Sequence, residues 1–133
     1  MVPNPHDALF KFTFTQVEHA IGELRAVLPP ALSAEVDWDS LEVCSGSYVD
    51  SELAQAHSDV LYSVRIGGRP ALIYVLLEHQ STVDRLMPFR CLKYQVRIWD
   101  DWLADHPDAA HLPVIVPIVV HHSAGGWSAA TAI

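Results

Sequence analysis

A chain of 133 residues, half of them hydrophobic, is sized for one folded domain and too apolar for a disordered tail. No apolar run approaches the roughly 18 residues that span a bilayer and the N-terminus lacks a signal-peptide pattern, so a cytoplasmic protein without membrane contact is expected. The formal charge of −8 counts against a generally phosphate-binding surface, yet acidity gathers in Glu35 to Glu52 and in Trp99 to Asp108, with Arg85, Arg90, Lys93 and Arg97 clustered between.

Phe10, Phe14, Val17, Ile21, Leu24 and Leu28 alternate spacings of four and three, which predicts one helix, closed by Pro29-Pro30. A polar connection follows. Leu41 to Cys44 begins a strand that Ser47-Tyr48-Val49 extends past a bend at Gly46. Asp59 to Ile66, then Gly67-Gly68-Arg69-Pro70, then Ala71 to Gln80 reads as a β-hairpin. Phe89, Leu92, Val96, Trp99 and Leu103 predict a second helix from about Val83 to about Ala104 with this stripe facing the core, and Pro88 near its start or at a kink. Leu112 to Val120 has the β-branched run of a buried central strand, with irregularity expected at Pro113 and Pro117. Cys44 and Cys91, far apart in regular segments, read as small buried hydrophobes, which sets aside a disulfide and a thiolate zinc site.

The resulting order, αβββαβ, is that of an α/β fold with a mixed central sheet flanked by helices. Residues 1–133 read as a single domain. Gly125 to Ser128 open a loop or an element that the chain barely enters, which leaves open a truncation at the C-terminus.

The hairpin concentrates the chemistry. Strand alternation puts His57, Asp59, Leu61 and Ser63 on one face and Val60, Tyr62 and Val64 on the other; Leu72, Tyr74, Leu76, Glu78 and Gln80 share a face on the partner strand. If Gly67 to Pro70 form the loop, Asp59 faces Glu78; if Gly67-Gly68 alone turn, the two become diagonal neighbours. A one-residue slip would separate them, but it would also break the apolar layer of Val60, Tyr62, Ile73 and Val75.

Adjacent carboxylates repel, and a divalent cation is the usual means of holding both ionised, with Mg²⁺ or Mn²⁺ suited to oxygen ligands. The alternative is two solvated strand-end acids paired with Arg65, Arg90 or Lys93. His57, on the Asp59 face, reads as a surface histidine or else an extra ligand or proton carrier. His79 should point the other way, and His121-His122 read as loop polarity.

Asp59 followed by Glu78-His79-Gln80 resembles the bipartite motif of PD-(D/E)xK nucleases. The strings Pro5-His6-Asp7-Ala8-Leu9-Phe10-Lys11, Ser58 to Ser63, Glu78 to Ser81 and Arg90 to Gln95 resemble the YhgA-like transposases, also called Rpn or recombination-promoting nucleases, over nearly the whole chain. The resemblance implies a restriction-endonuclease-like core and a metal-dependent DNA endonuclease tied to recombination. It further implies that Asp59 and Glu78 are metal ligands, that Gln80 stands where the superfamily carries lysine, and that Asp7 and Lys11 lie beside the active site. Lys11 could then supply the charge that glutamine lacks.

Arg90, Lys93 and Arg97 share a helical face suited to a phosphate backbone, or simply to solvent. DNA is the expected partner, and self-association stays open. A domain that keeps the fold but only binds DNA or protein is the competing function. A DDE-type transposase fits less well, because its third carboxylate has no counterpart on this hairpin.

Overall fold

The computed structural model describes residues 5–54, 57–78, 85–123 and 126–131, with side chains for 8–54, 57–78 and 85–121. Helices α1 (Pro5–Phe14), α2 (Val17–Val27) and α3 (Pro30–Glu35) precede β1 (Val36–Cys44), β2 (His57–Ile66) and β3 (Arg69–Glu78); α4 (Met87–Asp105), β4 (Val114–Ser123) and β5 (Gly126–Thr131) follow. The strands form one sheet in the order β1-β2-β3-β4-β5. β1, β2 and β3 make an antiparallel meander, β4 runs parallel to β3, and β5 returns antiparallel to β4. A parallel neighbour cannot be reached by a tight turn, and α4 lies in the crossover between β3 and β4.

Alternation along β2 and β3 divides the core in two. Val60, Tyr62, Val64, Ile73, Val75 and Leu77 pack with Phe10, Phe14 and Leu24 from α1 and α2. Leu61, Leu72, Tyr74 and Leu76 pack on the opposite side against Met87, Cys91, Tyr94 and Ile98 of α4. The result is a mixed α/β sheet flanked by helices, consistent with a restriction-endonuclease-like core.

Several elements differ from the sequence-based expectation, each for a local reason. The first helix is two. Thr15 Oγ1 donates back to the Lys11 carbonyl, the Tyr62 hydroxyl takes the Phe14 carbonyl, and Gln16 turns extended. Side-chain bonds of this kind compete with the helical ladder. Behind Pro29-Pro30 stands α3 rather than a plain connection, with proline in the first helical turn, where its missing N–H costs nothing.

β1 starts at Val36, five residues before the expected Leu41. Its alternation is hidden by a bulge between Asp37 and Glu42, held by Ser40, whose Oγ donates to the Asp37 carbonyl at 2.6 Å and accepts from Arg65 N at 2.8 Å. Ser47 to Val49 are loop, because Gly46 takes φ 100° and turns the chain out of the strand.

Only Gly67 and Gly68 form the hairpin turn, with φ 59° and 76°, as a type I′ turn requires. β4 keeps a regular register with β3 through Pro117. β5 pairs with β4 only from Ile118 onward, so among the described residues this proline interrupts no ladder on that side.

The largest correction concerns α4. Phe89, Leu92, Val96 and Leu103, the stripe expected in the core, are exposed, and Trp99 is half-buried. Met87, Cys91, Tyr94 and Ile98 face the sheet instead. Both stripes step by three and four, so periodicity identifies the helix without deciding which stripe is buried.

Candidate active site

The two-residue turn sets the hairpin register so that Asp59 pairs with Leu76, and Glu78 pairs with His57. Asp59 and Glu78 are therefore diagonal neighbours on one face, the second of the two registers open to the sequence. Both are buried, at 1% and 4% exposure, as is His57 at 3%. A carboxylate this deep is costly unless its lone pairs are met.

Asp59 is well supplied with donors. Ser47 Oγ donates to Oδ1 at 2.6 Å, while the Tyr48 backbone N–H at 2.8 Å and the Tyr74 hydroxyl at 2.6 Å donate to Oδ2. Burial, then the Asp59 charge, drives the Tyr74 hydroxyl far above the usual phenol range, so at neutral pH it is a donor. These bonds take three of roughly four acceptor directions of a carboxylate and fix the plane of the group. Lys11 Nζ reaches the same residue from α1, donating at 2.5 Å to the Asp59 main-chain carbonyl. Glu78 Oε2 lies 3.2 Å from His121 Nδ1, its partner residue across the β3/β4 ladder.

The loop that supplies Ser47 and Tyr48 is braced against α4. Arg97 donates through Nη1 to the Tyr48 carbonyl at 3.1 Å and through Nη2 to Asp50 Oδ1 at 2.6 Å. Lys93 Nζ stands 3.4 Å from Asp50 Oδ2. Arg97, followed by Lys93, holds the Asp50 carboxyl below the usual carboxylate range. The Tyr48 hydroxyl donates to Asp101 Oδ2 at 3.0 Å; burial first, then this bond, pushes its pKa up to about 12. Between loop and helix lies an open groove lined by Ser47, Tyr48, Val49, Arg97, Asp100 and Asp101.

The fold thus sets Asp59 and Glu78 on one face of the hairpin and brings Lys11 of α1 to the Asp59 main-chain carbonyl. Lys93 and Arg97 converge on Asp50, and Arg90 lies earlier on the same helix, half-buried. Gln80 and His79 fall outside the described residues, as does the side chain of Asp7. His57 is interior rather than a surface histidine: it pairs across the hairpin with Glu78 and is buried with it. His121 is not loop: β4 continues through it and sets it beside Glu78.

Sequence reasoning missed Tyr74, Ser47, Tyr48 and Asp50. Parity could have found Tyr74, which shares the Glu78 face. The other three lie on an irregular loop with no period to read. Among the described residues no group of three or more His, Cys, Asp or Glu side chains gathers as a cation cage. Nor does any described helix have the length and apolarity to cross a membrane.

A mixed sheet flanked by helices on both faces is consistent with a restriction-endonuclease-like α/β domain. The chain belongs to the family described as "Putative transposase, YhgA-like", whose model matches residues 4–133. It is 38% identical over 120 residues to the recombination-promoting nuclease RpnA of Escherichia coli K12, covering 89% of this chain and 40% of that protein. Identity to the recombination-promoting nuclease RpnD of Escherichia coli O157:H7 is 36% over 118 residues, covering 89% of this chain and 45% of that one. A shorter relative, named "Putative inactive recombination-promoting nuclease-like protein YjiP", of Escherichia coli K12, is 42% identical over 94 residues, covering 71% of this chain and 91% of its own length. The chain therefore spans less than half the length of RpnA and RpnD. No solved structure matches it significantly.

Proposed function

We propose that this chain is the nuclease domain of a recombination-associated endonuclease that hydrolyses DNA phosphodiester bonds, with Asp59 and Glu78 holding Mg²⁺ or Mn²⁺. The observation that carries this reading is the pair of buried carboxylates on one face of the β2/β3 hairpin, in a family whose members include proteins named nucleases. Their oxygen donors suit a hard divalent cation, and the hydrogen bonds to Asp59 leave about one acceptor direction on Oδ1. When bound, such an ion would polarise a phosphoryl oxygen and acidify a water molecule.

The protein groups have separable tasks. Ser47, the Tyr48 amide and Tyr74 hold the Asp59 carboxylate in one orientation, as partners behind a metal ligand do. His121 stands beside Glu78, where it can donate to it. Lys11 brings positive charge next to Asp59, a role that Gln80 cannot fill. Lys93 and Arg97, with Arg90, would meet the phosphate backbone by exchanging part of their contact with Asp50.

A second reading has an observation in its favour: the name of YjiP contains the words "Putative inactive". In that reading the same domain binds DNA or protein without cutting. Nicking of supercoiled plasmid with Mg²⁺ or Mn²⁺ separates the two. The expected result is cleavage by the wild type and losses in Asp59→Asn and Glu78→Gln beyond the roughly 10–100-fold typical of outer-shell partners. Equal cleavage by all three would remove the acidic pair from the mechanism. Metal-independent DNA binding without cleavage would favour the second reading.

A further inference from the structure

The exposed stripe of α4 is not used by the proposed site. Phe89, Leu92, Val96 and Leu103 stand 59%, 56%, 48% and 39% exposed; Trp99 between them is half-buried, partly packed on the α4-side core with its indole N–H donating to the Pro113 carbonyl. Scattered surface hydrophobes are ordinary; an aligned row along a 19-residue helix is not. The spacing 3, 4, 3, 4 from Phe89 to Leu103 is that of a and d positions over two heptads, the pattern by which one helix seats against another.

Charge identifies the occupant. From Arg85 to Arg97 every charged residue is basic, namely Arg85, Arg90, Lys93 and Arg97; from Asp100 to Asp105 every one is acidic. The first turn of α4 holds no acid and the last no base. This distribution runs against the helix's own dipole, which favours acids at the N-terminus and bases at the C-terminus. A lone helix gains nothing from it. A second copy of α4 laid antiparallel puts basic half against acidic half twice over and opposes the two dipoles. Lys93 and Arg97 remain 40% and 39% exposed beside Asp50, so both can also face a partner.

We propose that α4 is a self-complementary docking surface on which a second copy of this chain packs antiparallel, related by a two-fold axis near Val96. The interface is isologous, with the same ridge on both subunits. The proposal does not rest on the metal ligands of the nuclease reading; it does draw on Arg90, Lys93 and Arg97, which that reading sets against the phosphate backbone, so pairing and DNA contact at these residues are alternatives.

The test is the mass of the full chain in solution by light scattering at micromolar concentration. A dimer is expected for the wild type and a monomer for Leu92→Glu and Val96→Glu. Both positions are exposed in the isolated fold, so their thermal melts at concentrations where the wild type is also monomeric should be unchanged. A wild-type monomer, or variants that dimerise like it, would overturn the proposal.

Orientation is read by oxidation in a Cys44→Ser background. Val96→Cys should cross-link to itself. Phe89→Cys should not, but should cross-link to Leu103→Cys when the two variants are mixed. Self-cross-linking of Phe89→Cys without the mixed product would mean parallel pairing and overturn it.

Discussion

The two faces of the β2/β3 hairpin share a backbone and differ in what they bury. On the α1/α2 side Val60, Tyr62, Val64, Ile73, Val75 and Leu77 form an apolar layer along the whole hairpin. On the α4 side Leu61, Leu72, Tyr74 and Leu76 begin in the same way, but the layer ends in His57, Asp59 and Glu78, all nearly sealed from solvent. Burying acids costs stability, and only hydrogen bonds recover part of it. One face therefore holds the sheet together, while the other accepts a local cost at the end where the proposed site lies.

That division makes a large effect expected on the first face. Ile73 is wholly buried in the apolar layer, and Ile73→Ala should lower unfolding free energy by about 2–5 kcal/mol through lost transfer energy and a residual cavity. Urea unfolding measures it. Cleavage per folded molecule should hardly change; a proportionate loss of activity would show that the two faces are not separable.

A smaller effect is expected at the junction of the second face. Tyr74→Phe keeps the ring and removes one donor to the Asp59 carboxylate, a charged hydrogen bond worth about 1.5–3 kcal/mol. Because Ser47 and Tyr48 still hold that carboxylate, cleavage should survive but require roughly 10–100-fold more metal ion. Titrating activity against Mg²⁺ gives the shift. Loss of stability with an unchanged metal requirement would make Tyr74 a packing residue only.

The same contrast explains what could be read from the chain alone. The dry face is legible because its alternation is unbroken and a slip of one residue would expose it, so the placing of Asp59 and Glu78 on one side followed from parity. Register was left between two options because Gly-Gly-Arg-Pro admits two turns; the positive φ of Gly67 and Gly68 decides for the shorter.

The cradle around Asp59 was hidden for a different reason. Ser47, Tyr48 and Asp50 occupy their positions through long-range bonds to β2 and α4, which no local pattern encodes. On α4 two apolar stripes compete, and the buried one contains Cys91 and Tyr94, less hydrophobic in appearance than Phe89 and Leu92. Burial leaves the Tyr94 hydroxyl a polar partner at Asp50, whose backbone N lies 3.4 Å from it.

The smallest effect belongs to the rim of the polar face, at Asp50. Its carboxyl is held low chiefly by the Arg97 hydrogen bond, and Lys93 adds to it. A group whose pKa is depressed by folding stabilises the native state above its unfolded value, near 3.9 for aspartate, and loses that contribution as pH falls through the lowered native value. Asp50→Asn should therefore be less stable than the wild type at neutral pH, with a gap that closes in the acid limb. Salt should narrow the gap at neutral pH as well, since both cations remain partly in water. Urea midpoints of the two proteins across pH and ionic strength measure this. A gap independent of both would mean that Asp50 holds the loop by geometry alone. A gap that tracks pH and salt would mark the polar face as the part of this fold tuned by solution conditions, while the Ile73 face stays indifferent to them.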